Sequence, residues 1–237
     1  MQLPPLIDGI ILKRYKRFLA DVALTDGRVV TAHCPNTGSM RGCWRPGAPV
    51  QVSHSDNPKR KLAWTLERVD MGQGWVGVHT GRTNPVVGEA LAAGCIPELR
   101  GFQKLRSEVV FEPPGFERAR FDFQLSQGAG PDAWIEVKNV TLWEGGSLLF
   151  PDAVTLRGRK HLELLAEACR MGYRGIMIYA LNRPEGEAFS PAEEIDPDYA
   201  ATLRRVVREA GVEVIALRLT HEAQTLRVTD GVRVELG

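Results

Sequence analysis

The chain has 237 residues, 43% of them hydrophobic and 25% charged, with 30 Lys and Arg against 29 Asp and Glu. That length suffices for one or two domains whose cores need no disulfide or metal to hold them. The formal charge of +1 excludes a uniformly basic coat protein and an acidic disordered tail, while leaving room for opposed local patches.

At the N terminus, Leu6 to Leu12 is the most apolar stretch, but Asp8 interrupts it and it is far shorter than the ~20 residues of a membrane helix. Lys13 and Arg14 follow this stretch instead of preceding it, and Pro4 and Pro5 open it, so neither a membrane span nor a secretory leader is expected. Ile10 to Leu12 and Phe18 to Leu24 read as strands. The turn Thr25-Asp26-Gly27-Arg28 leads into Val29 to Ala32, as in a hairpin closed by Asp-Gly. Pro49 to Ser53, Ala63 to Val69 and Trp75 to His79 continue the series, and short strands at this spacing predict a small OB-like barrel. An SH3-like barrel would show the same spacing.

The rhythm changes at Gly81-Arg82-Thr83-Asn84-Pro85, which divides the chain into residues 1–81 and 82–237. Val86 to Ala93 predicts a helix stopped by Gly94. Strands follow at Glu108 to Glu112, Ala119 to Leu125 and Ala133 to Asn139. A longer helix runs from about Arg157 to Met171, with Leu162, Leu165, Ala166 and Cys169 on one face and Gly172 at its end. Gly175 to Ala180 reads as a buried strand, Tyr199 to Ala210 as a helix closed by Gly211, and Val212 to Leu219 as a strand. Three strands with short links, then strands joined through helices, predict a mixed α/β sheet flanked by helices.

Four scattered cysteines, Cys34, Cys43, Cys95 and Cys169, form no Cys-x-x-Cys pair and read as reduced thiols of a cytoplasmic protein. His33-Cys34 has no second pair at zinc spacing, so zinc is not expected. Cys34 and Cys95 lack an evident His–acid arrangement that would make them nucleophiles.

Charge divides at the same boundary. Before Gly81 there are eleven basic and six acidic residues, a net +5, which leaves −4 for the remainder. Lys13-Arg14-Tyr15-Lys16-Arg17 and Lys59-Arg60-Lys61 dominate the basic part. Each cluster alone would suit a solvated loop. Two in one small barrel, with Tyr15, Phe18 and Trp44 available for stacking, point to nucleic acid.

The sharpest chemical signal is Arg120-Phe121-Asp122-Phe123 followed by Ile135-Glu136-Val137-Lys138. Alternate residues of a strand share a face, so Glu136 and Lys138 point one way. Arg120, Asp122 and Gln124 lie opposite Phe121, Phe123 and Leu125. If the strands pair, Asp122 and Glu136 converge with Lys138. Two carboxylates suit Mg²⁺ or Mn²⁺, which keeps several waters and binds phosphate, while a neighbouring ammonium offsets developing charge. Asp152, in Pro151-Asp152, is a candidate neighbour of this group. No organic cofactor is expected.

His33-Cys34-Pro35-Asn36-Thr37-Gly38-Ser39-Met40, Glu136-Val137-Lys138-Asn139-Val140-Thr141-Leu142, Phe150-Pro151-Asp152-Ala153-Val154-Thr155 and Arg157-Gly158-Arg159-Lys160-His161-Leu162 resemble the sugar fermentation stimulation protein family of prokaryotes. The resemblance spans nearly the whole chain. It implies an OB-like N-terminal domain, a C-terminal domain of the PD-(D/E)xK nuclease type, DNA binding without sequence specificity, and a regulatory role in sugar (maltose) metabolism. It places the nuclease-type acid on Asp122, the Glu-x-Lys pair on Glu136 and Lys138, and a helix acid on Glu89. The family's usual Ser-Arg before the acid is Ala119-Arg120 here, after a longer Glu112 to Glu117 segment.

Asn36-Thr37-Gly38-Ser39 fits a tight turn or a phosphate grip, and the resemblance favours contact. Arg157, Lys160 and His161 share a helix face, which suits either an exposed helix end or contacts to a scissile backbone. The candidate nucleic-acid residues are thus Lys13, Arg14, Lys16, Arg17, Asn36, Thr37, Ser39, Lys59, Arg60, Lys61, Arg157, Lys160 and His161. Three functions compete: a DNA-binding protein with a nuclease-like domain, an active Mg²⁺-dependent nuclease, and a sugar-binding regulator for which no sequence feature marks a site.

Overall fold

The computed structural model describes residues 1–237. Alternating apolar residues draw the first strands around a shared core. β1 (Leu6–Tyr15), β2 (Leu19–Leu24) and β3 (Val29–His33) form a meander; β4 (Pro49–His54) pairs with β1, and β5 (Trp64–Asp70) pairs with β4. Ala32↔Trp64 and His33↔Thr65 join β3 to β5 in parallel and close the barrel in the OB manner, which excludes the SH3-like alternative. β6 (Trp75–Gly77) extends the sheet beyond β5. Ile11, Val22, Ala32, Val52, Leu66 and Val76 fill the interior.

A 3₁₀ turn (Thr80–Arg82) leads into α1 (Thr83–Ala92). β7 (Lys104–Phe111), β8 (Ala119–Ser126) and β9 (Ala133–Val140) form the antiparallel meander expected from their short links. A hairpin of β10 (Leu142–Glu144) and β11 (Ser147–Phe150) precedes α2 (Leu156–Arg170), and then come β12 (Arg174–Leu181), β13 (Ala188–Pro191), α3 (Pro197–Ala210), β14 (Glu213–Glu222) and β15 (Thr225–Val234). The sheet has nine strands in the order β10-β11-β13-β15-β14-β12-β9-β8-β7. β12 is parallel to both β9 and β14 and is buried on both faces, as central parallel strands are. Ile176, Ile178 and Ala180 face α1, while Met177, Tyr179 and Leu181 face α2 and α3. Thr155 caps α2 by accepting from the Gly158 amide; Asp196 caps α3, which Gly211 closes in the left-handed conformation at φ 74°. No helix is long and apolar enough to cross a membrane.

The barrel and the nine-stranded sheet meet along a polar seam. The Ser39 amide and hydroxyl donate to Asp152, Arg41 pairs with Glu144, and buried Arg183 donates to the Gly42 and Thr141 carbonyls. Beside Arg183 in the chain, Asn182 accepts from the Gly77 amide at its carbonyl, and its side chain meets His221 Nε2 at 2.7 Å. Burial, followed by the Arg68 charge, pulls the pKa of His221 down to about 3. An unfolded histidine protonates near pH 6.5, so the unfolded chain takes up a proton that the folded one refuses. Stability conferred by His221 is complete above pH ~6.5 and declines toward pH 3, at most ~1.4 kcal/mol per pH unit for one proton. Thermal melts of His221→Gln between pH 6.5 and 4 should therefore fall less steeply than those of the wild type, and parallel curves would refute the assignment.

Candidate active site

β8 and β9 pair only at Phe123↔Ile135, Gln124↔Trp134 and Leu125↔Ala133, and then separate. Asp122 sits where the ladder ends. Its Oδ2 accepts from the Val137 amide at 2.7 Å, and its Oδ1 accepts from Asn84 Nδ2 at 2.6 Å. The predicted alternation breaks at this residue: Phe121 joins the core under α2 and Phe123 the core under α1, so the two do not share a face. The splay opens a cleft of about 530 Å³ lined by Asp122, Glu136, Glu108, Arg118, Arg120 and Arg157.

Glu136 is almost fully buried. Its Oε1 receives Lys138 Nζ at 2.5 Å and lies against His161 Nδ1. Burial pushes the carboxyl upward, but the His161 contact and the Lys138 charge outweigh it and hold the group below the ordinary range. Asp122 goes the other way: burial, then the adjacent Glu136 charge, raise it to about 6. The second oxygen of Glu136, Oε2, is buried without any partner, a costly state for a carboxylate. Hard oxygen donors in mutual repulsion, one with an orphaned oxygen, fit a divalent cation. No cluster of three or more acidic, His or Cys ligands exists, so Asp122 and Glu136 would hold Mg²⁺ or Mn²⁺ with waters and phosphate completing the shell.

Glu89 does not join them. It lies elsewhere on α1, its carboxylate 2.7 Å from the N-terminal ammonium of Met1; the α1 residue that reaches Asp122 is Asn84. His161 is likewise not an exposed phosphate contact: it is buried beside Glu136, and of its expected companions Arg157 lines the cleft while Lys160 pairs with Glu117. Asn36 to Ser39 forms the tight turn, with Asn36 Oδ1 accepting from the Gly38 amide and the Ser39 donors directed at Asp152. A carboxylate of the same chain thus holds the donors that a phosphate grip would need. Asp152 belongs to the domain seam and not to the carboxylate pair.

On the barrel, Lys16 and Arg17 form the tip of the β1–β2 hairpin with φ 49° and 65°, a left-handed conformation costing L residues roughly 1–2 kcal/mol each. Arg14 is turned inward and donates to the Arg17, Asn36 and Gly38 carbonyls, so it shapes the loop and is not a free contact. Lys13 lies 3.2 Å from Asp21 yet remains largely exposed. Lys59, Arg60 and Lys61 are exposed in the β4–β5 loop, with Arg60 bonded to Thr65. The β1–β2 and β4–β5 loops are those with which OB barrels hold nucleic acid. Asn84, Arg118 and the inward role of His161 had no sequence motif; only Arg118 could have been found, from its alternation with Arg120 and Asp122.

The fold defines an OB barrel joined to a mixed sheet flanked by helices. Residues 12–78 match the family profile described as the SfsA N-terminal OB domain, and residues 81–225 match the sugar fermentation stimulation protein RE domain. The chain belongs to the sugar fermentation stimulation protein family. It is 49% identical to the homolog of Geobacter metallireducens over the full length of both chains, and 48% identical to that of Geobacter sulfurreducens over 98% of this chain and 97% of the relative. The structure of Pyrococcus furiosus SfsA in complex with Ca²⁺ superposes with a TM-score of 0.85 at 25% identity, covering 99% of this chain and 98% of the other.

Proposed function

We propose that the protein binds DNA without sequence preference and hydrolyses its phosphodiester bonds with a divalent cation. The observation that carries this reading is the pairing of Asp122 with a buried Glu136 whose Oε2 has no partner, at the floor of a cleft lined by Arg118, Arg120 and Arg157. When bound, the cation supplies Lewis acidity to the phosphoryl oxygen and acidifies water. The chain supplies the rest. Arg118, Arg120 and Arg157 attract and orient the phosphate. Lys138 holds Glu136 in place and offsets charge that develops on the phosphoryl group. Asn84 and the Val137 amide fix the Asp122 carboxylate. The Ca²⁺ in the Pyrococcus furiosus relative supports a hard-cation site in this family.

The test is incubation of supercoiled and single-stranded DNA with purified protein in Mg²⁺, Mn²⁺ or EDTA. Cleavage that depends on the cation is expected; absence of cleavage with either cation would remove the hydrolytic half, and absence of DNA binding at low salt would remove the whole reading. Phosphate contacts from the barrel loops carry no base information and release counterions. The triple substitution Lys16→Ala, Lys59→Ala, Lys61→Ala is therefore expected to flatten the slope of log affinity against log salt by about two to three on duplex DNA, measured by fluorescence anisotropy.

A further inference from the structure

Between the barrel and the mixed sheet lies a second cavity, of about 170 Å³, lined by Asn36, Thr37, Thr80, Asn139, Thr141 and Asp152, while the Phe150 ring packs into the core against Tyr179 and Tyr199. Its chemistry is opposite to that of the cleft. No Lys, Arg or His lines it, and Asp152 brings a carboxylate, so it disfavours phosphate. The amide NH₂ groups of Asn36 and Asn139, the hydroxyls of Thr37 and Thr141 and the second oxygen of Asp152 make no hydrogen bond within the protein. That is a mixed set of donors and acceptors, in a space smaller than the ~300–1,000 Å³ of drug-sized pockets.

One chain segment links the cavity to the cleft: the stretch from Phe150 to Arg157 begins at the first and ends at the second. Between those ends stand Val154 and Leu156, 66% and 72% exposed, on either side of the helix cap Thr155. Aliphatic side chains so exposed serve no core. Beside a DNA-facing cleft they have the character of a wedge that separates stacked bases.

We propose that this cavity receives a single nucleobase extruded from the DNA next to the scissile phosphate, with Val154 and Leu156 filling the place it leaves. The inference rests on the DNA-binding reading above. The Asn, Thr and Asp side chains meet the hydrogen-bonding edge of the base, and the arginines of the cleft keep the backbone. Because extrusion costs unstacking and unpairing, mismatched or unpaired sites are favoured over intact duplex.

The experiment uses the full chain with Ca²⁺ and a duplex carrying one 2-aminopurine, with an end-label whose anisotropy reports binding on the same sample. A several-fold rise in 2-aminopurine emission is expected at saturation, with the probe shielded from acrylamide. The paired Val154→Ala, Leu156→Ala variant should lose most of that rise, and Thr37→Met, which adds bulk at the exposed rim without an aromatic ring, should restore quenching by acrylamide. A mismatch opposite the probe should tighten wild-type binding. Saturated binding with unchanged emission overturns extrusion while leaving DNA binding intact; emission unaffected by the wedge variant, or shielding unaffected by Thr37→Met, overturns the assignment of wedge or cavity. Absence of any anisotropy change instead removes the DNA-binding reading itself.

Discussion

Glu136→Gln is expected to reduce cation-dependent DNA cleavage by about 10³-fold, comparable to the loss of a strong preorganised electrostatic contact, with DNA affinity unchanged or slightly higher. Glutamine keeps the shape of the side chain and an oxygen for Lys138 and His161, but it lacks the charge that Oε2 would offer a cation. The unpartnered oxygen is the reason the expected effect is large: no other group of the protein bonds it, which leaves it open to a cation entering the cleft. Removing a negative charge beside three arginines also relieves repulsion of incoming phosphate, which is why binding should not suffer. Calorimetric titration with Mn²⁺ should show weakened cation binding in the same variant. Cleavage at the wild-type rate would mean that the activity belongs to another site or to a contaminant. Lys138→Met provides the complementary case, since it keeps both carboxylates and should lower the rate with cation binding largely retained.

The three central residues were legible because Glu-x-Lys places both groups on one strand face and the preceding strand brings an acid opposite. The barrel was legible for a similar reason: Asp26-Gly27 and the period-two apolar pattern mark its hairpins. What escaped depends on docking between elements. β10, β11 and β13 have only three or four residues each and show no period. β15 contains Asp230-Gly231, a turn signal by composition, yet it runs through as a strand opposite an irregularity in β14. His161 was grouped with Arg157 by correct helical spacing. The face they share, however, turns from solvent to sheet within one turn, so Arg157 is exposed while His161 packs beside Glu136 and Phe121. Asn84 has no motif, because its contact with Asp122 arises only from the way α1 lies against the splayed strands. The resemblance put the helix acid on Glu89, and the fold directs that residue to the N terminus instead.

The largest stability effect is expected at Gly77, where the barrel's last strand touches the nine-stranded sheet. A Cβ there would lie 2.1 Å from Asn182 Oδ1 and 2.4 Å from His221 Nε2. Asn182 has no exposed surface, and its side chain already bonds to both Asn139 and His221. It cannot yield without breaking those bonds, and the Gly77 amide needs the Asn182 carbonyl where it is. Overpacking at about 1–3 kcal/mol together with a buried polar group left unsatisfied at about 1–3 kcal/mol gives an expected loss of about 3–4 kcal/mol for Gly77→Ala. At roughly 2–4 °C per kcal/mol for a chain of this size, the melting temperature should drop by about 10 °C. Gly27→Ala is the matching control: its φ of 86° strains alanine, but no atom lies within 4 Å of the added carbon, so only the backbone cost of roughly 1–2 kcal/mol applies. If Gly77→Ala melts no lower than Gly27→Ala, the seam is looser than its hydrogen bonds imply. Asn139 links this contact to β9 one residue from Lys138, so displacement at Gly77 should also slow cleavage in the fraction that remains folded.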